Sequence, residues 1–136
     1  MDAAGLIEQL PDAVVAADRE GVIRFWNAAA VELFGYAASE AIGQSLDLII
    51  PERFRAAHWK GYDAALETGE TKYAGRVMTT RATTRSGEKR YVALRFAILR
   101  EPDGRVWGAV ALARETEARP TVNGGSTRRD DTADGA

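Results

Sequence analysis

The sequence predicts an α+β domain in which a five-stranded antiparallel sheet carries short helices and one longer helix on a single face. Three observations predict it. The last third of the chain alternates in polarity, with Val92, Leu94, Phe96 and Ile98 interleaved by Tyr91, Ala93, Arg95 and Ala97, the pattern of a strand buried on one side. Turn signals at Arg85-Ser86-Gly87-Glu88 and Glu101-Pro102-Asp103-Gly104 join strands over 72–80, 90–99 and 106–113 into hairpins. Upstream, Phe54, His58, Gly61, Tyr62 and Ala65 fall on one stripe of a helix over 52–68 that faces the core.

Local chemistry accounts for each element in turn. A short helix over 3–10 is closed by Pro11, which biases the residue before it away from helix. Strands over 12–17 and 22–26 pair as a hairpin through Asp18-Arg19-Glu20-Gly21. Asn27 caps a helix over 28–34, and Gly35 stands where a left-handed C-terminal residue is wanted. Ser39 and Glu40 open a short turn ending at Gly43, and a further turn over 46–49 stops before Pro51. The long helix ends at Gly69; its stripe turns the single histidine of the chain inward and leaves Trp59 facing away from the core. Trp26 and Trp107 are expected to be packing residues. From Arg119 onward the chain is Pro, Gly, Ser, Thr, Arg and Asp, so residues 1–118 form one domain and 119–136 a disordered tail.

Composition narrows the function. A chain of 136 residues, 46% of them hydrophobic, can bury a real core without disulfides. It has no cysteine, which excludes zinc-thiolate sites, iron–sulfur clusters, thiol nucleophiles and cysteinyl–flavin photochemistry. Eighteen basic against 20 acidic side chains, with no basic stripe, argue against nucleic-acid binding. Apolar runs such as Leu48-Ile49-Ile50 are far short of the roughly 20 residues of a membrane span. The start, Met1-Asp2-Ala3-Ala4, lacks the features of a secretory signal, so a cytoplasmic protein is expected. No Ser-His-Asp order, phosphate loop, His-rich metal motif or nucleotide fingerprint is present. The pairs Asp63/Glu67 and Glu115/Glu117 suit a solvated helix face and a frayed terminus, and a protein that is not an enzyme is expected.

A family likeness then enters through successive segments. Leu10-Pro11-Asp12-Ala13-Val14, Trp26-Asn27-Ala28-Ala29-Ala30, Leu33-Phe34-Gly35-Tyr36, Ile42-Gly43-Gln44-Ser45 and Ile50-Pro51-Glu52-Arg53 lead to Arg85-Ser86-Gly87 and Pro102-Asp103-Gly104. In this order they resemble the landmarks of PAS sensor domains, over about residues 5–118. A closer likeness is to the heme-binding PAS domain of rhizobial oxygen-sensor histidine kinases, whose Pro-Glu-x-x-Arg-x-x-His segment carries the proximal ligand. Pro51-Glu52-Arg53-Phe54-Arg55-Ala56-Ala57-His58 matches it without a gap, and Thr68-Gly69-Glu70, Gly75 and Arg85-Ser86-Gly87 keep the register.

The resemblance implies heme b with His58 as its axial ligand, and a diatomic gas or a change of iron redox state as the input. A neutral imidazole on an apolar helical stripe that faces a sheet is a standard way to hold heme iron. Leu94 and Phe96 correspond to the distal wall, where the oxygen sensors carry aliphatic side chains; Tyr62 and Tyr73 complete the implied cofactor-binding set. Where those sensors place an arginine on the first strand after the helix, the register here gives Met78. Either Arg76, two residues earlier on the same strand face, supplies the guanidinium, or Met78 itself approaches the iron. The propionate-binding arginine of the helix corresponds to Ala64.

Plainer readings stand beside these. His58 can be a core histidine bonded to a backbone carbonyl, and Met78 a filler of an apolar gap. PAS pockets also take flavin or other small organic ligands, or nothing, in which case the chain is an interaction or dimerisation module. The PAS output signature Asp-x-Thr corresponds to Arg114-Glu115-Thr116. Output is therefore expected through a homodimer, with the helix over 3–10 as a contact, or through a separate signalling partner.

Overall fold

The computed structural model describes residues 1–73 and 75–117. The expected tail over 119–136 lies outside the described residues. The elements run α1 (Ala3–Glu8), β1 (Ala13–Asp18), β2 (Ile23–Trp26), α2 (Ala28–Phe34), α3 (Ala38–Ala41), two 3-10 turns (Leu46–Ile49 and Glu52–Phe54), α4 (Arg55–Thr68), β3 (Met78–Thr83), β4 (Lys89–Arg100) and β5 (Val106–Glu115). The strands form one antiparallel sheet in the order β2-β1-β5-β4-β3. The last strand of the chain is thus inserted at the centre, between β1 and β4.

Capping chemistry ends the helices over 28–34 and 52–68 where the sequence expects, but the long helix begins only at Arg55, after a 3-10 turn over Glu52–Phe54, and the first helix, expected over 3–10, ends at Glu8. The Asn27 carboxamide oxygen accepts from the Ala30 N–H at the start of α2, and Gly35 and Gly69 end α2 and α4 in the left-handed region, at φ 85° and 78°. Asn27 does far more than cap. It is 2% exposed, its Oδ1 also accepts from the Val14 N–H, and its Nδ2 donates to the carbonyls of Ile7 and Asp12. One amide therefore uses both acceptor sites and both donors to join the end of α1, the start of β1 and the start of α2.

Two further expectations are corrected. The strand over 72–80 starts only at Met78 and continues to Thr83. Residues around Gly75 form turns, with Gly75 at φ 73° and the Arg76 N–H bonded to the Tyr73 carbonyl, so Arg76 is exposed in a loop and not on a strand. Trp59 does not face away from the molecule. Its indole lies against Gly21 so closely that no Cβ could stand there, and its Nε1 donates to Asp47 Oδ1 at 2.8 Å.

The face of the sheet that meets α4 is built from alternate residues in register. Val15 and Ala17 of β1 lie beside Ala111 and Ala109 of β5, which lie beside Phe96 and Ile98 of β4; Ala113 lies beside Leu94. The central strand thus presents three alanines toward the helix. Next to them, a Cβ at Gly108 would collide with the Ala17 carbonyl, so the close approach of β5 to β1 requires glycine. Small side chains at the centre of the sheet leave a space that the helix does not fill.

Replacing Asn27 with Ala removes four hydrogen bonds at once and leaves buried carbonyls and amides unpaired. We expect Asn27→Ala to lose about 3 kcal/mol or more of unfolding free energy in urea titration. Asn27→Asp keeps the acceptor but sets a carboxylate against two carbonyl oxygens, and is expected to lose at least about 2 kcal/mol. A loss below about 1 kcal/mol in both variants would contradict the joining role.

Candidate functional site

The space between α4 and the sheet is a cavity of about 100 Å³. Three walls line it and leave it partly open to solvent. His58, Tyr62, Ala65 and Leu66 come from α4; Leu46, Ile49, Ile50, Pro51 and Phe54 come from the 3-10 segment; the sheet supplies its inward residues, including the alanines of β5 and Leu94, Phe96 and Ile98 of β4. Thr71, Thr80 and Arg81 are the polar side chains of the lining besides His58 and Tyr62, and the rest is apolar.

Tyr62 fixes the helix above this space. Its hydroxyl donates to the carbonyls of Asp18, at 2.7 Å, and Ala17, at 3.2 Å, which ties α4 to the end of β1. Burial, with the Asp18 carboxylate nearby, holds the phenol well above its ordinary 10.0, so it remains a neutral donor. The Asp18 side chain itself is pushed up by burial but pulled further down by donors from Val22, Arg24 and Glu20, with a net fall; it organises the β1–β2 turn on which Tyr62 rests.

His58 lies one turn before Tyr62 and is 5% exposed. Its ring stacks on Tyr62 with centroids 5.7 Å apart and meets Trp59 edge-on at 4.6 Å. Burial lowers its pKa from 6.5 to about 4, against the opposing pull of the Asp47 and Asp63 carboxylates, so the imidazole is neutral near pH 7. Its Nδ1 is buried and has no hydrogen-bond partner among the described residues. A buried polar atom left unpaired is costly and rare in a native protein. It is also an atom that a ligand can satisfy.

The residues singled out from the sequence separate here. His58, Tyr62, Leu94 and Phe96 share the cavity. Tyr73 is buried behind it, its ring 6.2 Å from that of Phe96, and Met78 is buried opposite Leu94 in the β3–β4 register, but neither is part of the lining. Arg76 is exposed and away from the lining, because the turn at Gly75 precedes the strand on which it was expected. Sequence reasoning missed the 3-10 wall and the two side chains that hold it, Arg55 and Trp59. The alternation of Ala109, Ala111 and Ala113 was the one available signal for the central void.

At the other end of the sheet, Arg114 pairs with Asp12 at 3.0 Å and the Thr116 N–H donates to the Tyr91 carbonyl, which anchors the end of β5. No helix among the described residues is long and apolar enough to cross a membrane.

Comparison with known proteins adds four findings. A family model described as PAS fold matches residues 7–120. The chain is 38% identical over 53 residues to the sensor protein FixL of Bradyrhizobium diazoefficiens, covering 39% of this chain and 10% of FixL. It is 29% identical over 110 residues to the oxygen sensor protein DosP of Escherichia coli, covering 80% of this chain and 13% of DosP. The chain therefore spans little more than a tenth of the length of the curated relatives it matches. A solved PAS domain from Colwellia psychrerythraea superposes with a TM-score of 0.71 at 20% identity, over 83% of this chain and 92% of that one, a likeness of fold.

The histidine makes stability pH-dependent in a definite direction. In the unfolded chain His58 takes up a proton as the pH falls through about 6.5, whereas in the folded protein it resists until about 4. Between these values the unfolded state holds more protons, so stability is full above pH 6.5 and declines as the pH falls toward 4. At about 1.4 kcal/mol per pKa unit the decline approaches about 3 kcal/mol. Urea titrations of the ligand-free protein between pH 7 and 4.5 are expected to trace it. His58→Leu should flatten that slope, and an unchanged slope in the variant would reassign it to other groups.

Proposed function

The chain belongs to the PAS-fold family, and from that membership and the geometry of His58 we propose a sensory module that binds heme b through this histidine and responds to a diatomic gas or to iron redox state. The observation that carries the proposal is the neutral imidazole on the cavity wall, with a buried nitrogen that none of the described residues engages. A deprotonated ring nitrogen is what iron coordination requires. The match of Pro51 to His58 with the ligand-bearing segment of oxygen-sensing PAS domains supports the same reading, as does the likeness to an oxygen sensor over 80% of the chain.

In this reading the residues divide the work simply. His58 offers the ligating nitrogen; Tyr62, pinned through its hydroxyl to β1, and Trp59, pinned to Asp47, hold the imidazole plane between two rings. Leu94, Phe96 and Ile98 present an apolar wall that excludes water. Heme, when bound, supplies reversible gas coordination or a one-electron change at iron. The distal guanidinium or thioether foreseen from Arg76 or Met78 has no support from their positions, since one is exposed and the other lies outside the lining. No catalytic step is assigned to the module. Its output passes through a homodimer or a separate signalling partner, with α1 as a contact: none of its residues is buried and Leu6 is 55% exposed.

The volume favours a second reading. At about 100 Å³ the cavity is below the roughly 300–1,000 Å³ of drug-sized pockets, so a tetrapyrrole must displace a wall. A small organic ligand, or none, suits the cavity as it stands and makes the chain an interaction or dimerisation module. For flavin the lining offers Thr71, Thr80, Arg81 and His58 as polar side chains, since the Tyr62 hydroxyl is already engaged.

Visible spectra decide between the readings. Adding hemin and then dithionite and carbon monoxide is expected to give a Soret band that shifts at each step, and His58→Ala should lose at least about 90% of the retained heme, as loss of the residue that would hold the iron requires. Equal heme content in His58→Ala, or no specific spectrum in the wild type, would transfer the assignment to the small-ligand or ligand-free reading.

A further inference from the structure

The 3-10 segment over 46–54 forms one wall of the cavity and is fastened in an unusual way. Leu46, Ile49, Ile50, Pro51 and Phe54 face the space. At its front the segment is stitched to the β1–β2 turn: the Ile23 N–H donates to the Gln44 carbonyl and the Leu46 N–H to the Gly21 carbonyl, beside a bridge between Val22 and Ser45. Beyond Leu46 the backbone bonds among the described residues are local. Leu48 donates to Ser45, Ile50 to Asp47 and Phe54 to Pro51, each bond closing a turn within the segment.

What holds the segment to the helix is a pair of side chains from the first turns of α4. Arg55 donates through Nε to the Ile50 carbonyl and through Nη2 to the Asp47 carbonyl, and its Nε lies 3.8 Å from Asp47 Oδ1. Trp59 donates to the same Oδ1. The indole is seated in the recess left by Gly21, a position at φ 78° where a side chain would collide with it. The Trp59 bond and the Arg55 ion pair fall on the Asp47 carboxylate, whose side chain is 41% exposed and open to exchange with water, beside the Arg55 bonds to the two carbonyls.

We infer that the segment over 46–54 is a hinged wall that opens to admit the ligand, with Asp47 as the latch closed by Trp59 and Arg55. The inference rests on the reading that the cavity binds a ligand, and it explains how a cavity of about 100 Å³ can serve a larger one. Opening swings the apolar side chains of one wall outward without breaking the sheet or the Tyr62 contact to β1. The same movement frees the indole that lies edge-on against His58 at 4.6 Å, so the ligand's anchor and the latch share a contact. Sites drawn from the low-stability part of a fold open locally without global unfolding.

Amide hydrogen exchange of the ligand-free protein tests the latch directly. In Asp47→Ala and in Trp59→Phe, the amides of Leu48, Ile50 and Phe54 are expected to exchange about tenfold faster than in wild type, with the amides of β4 and β5 unchanged. No acceleration, or equal acceleration across the sheet, would overturn the latch, the second because Asp47 would then merely stabilise the whole fold. Stopped-flow mixing with hemin supplies the other arm. Association should quicken about tenfold in Asp47→Ala with dissociation within about threefold of wild type, so that Kd falls about tenfold, because a ligand larger than the resting cavity binds only the open form. Faster dissociation alone would make Asp47 part of the binding site and overturn the gate. Should hemin fail to bind the wild type, the heme reading falls while the exchange data still decide the latch.

Discussion

The cavity depends on one interaction, the hydroxyl of Tyr62 on the carbonyls of Ala17 and Asp18. It holds α4 at the span of a tyrosine from β1, and a helix so propped cannot settle onto the alanines of β5. Interiors normally close to the density of organic crystals. Here two features oppose closure: the prop at Tyr62, and the small residues Ala109, Ala111 and Ala113 at the centre of the sheet, with Gly108 drawing β5 against β1. The void is therefore a product of side-chain lengths. Asn27 performs the corresponding task away from the cavity, joining α1, β1 and α2 so that the sheet face is already formed when the helix is laid across it.

Electrostatics at the site follow from the same geometry. His58 faces the apolar space and is desolvated, which favours the neutral ring; Asp47 and Asp63 favour the charged one and lose the contest. Asp47 is turned toward Trp59 and Arg55 and spends its carboxylate on them. The imidazole is left neutral and incompletely bonded, a state disfavoured in a finished core and favourable in a ligand site.

The fold was legible wherever one residue type carries a local requirement. Asn27, Gly35, Gly69, Gly87 and Gly104 mark a cap, two helix ends and two hairpin turns, and the elements fall between them. The stripe from Phe54 to Ala65 placed His58 and Tyr62 against the sheet, and period two placed Leu94 and Phe96 opposite them. The start of β3 was not legible, because Tyr73 and Val77 have strand composition while Gly75 sits in a left-handed turn that breaks the run. Nor was the seat of Trp59. A helical wheel puts it beside the buried stripe, and only the fold brings Gly21 beneath the indole and Asp47 to its nitrogen. Such pairings join residues 12 and more positions apart, which periodicity within one element cannot report.

The strength of the latch sets how so small a cavity can still respond to a ligand. A net hydrogen bond is worth about 0.5–1.5 kcal/mol, and an ion pair as exposed as Asp47 and Arg55 adds about 0–1 kcal/mol. Closure through Asp47 is then worth about 0.5–2.5 kcal/mol, which leaves roughly 1–30% of molecules open. A ligand that binds only the open form loses that same factor of affinity and no more, a modest penalty beside a bond from His58 to iron. A latch several kcal/mol stronger would keep the wall shut, and none at all would leave Ile49, Ile50 and Phe54 without a fixed place over the cavity. With intermediate strength the wall stays closed at rest, yet occupancy at His58 is felt at Asp47 through the one indole that touches both.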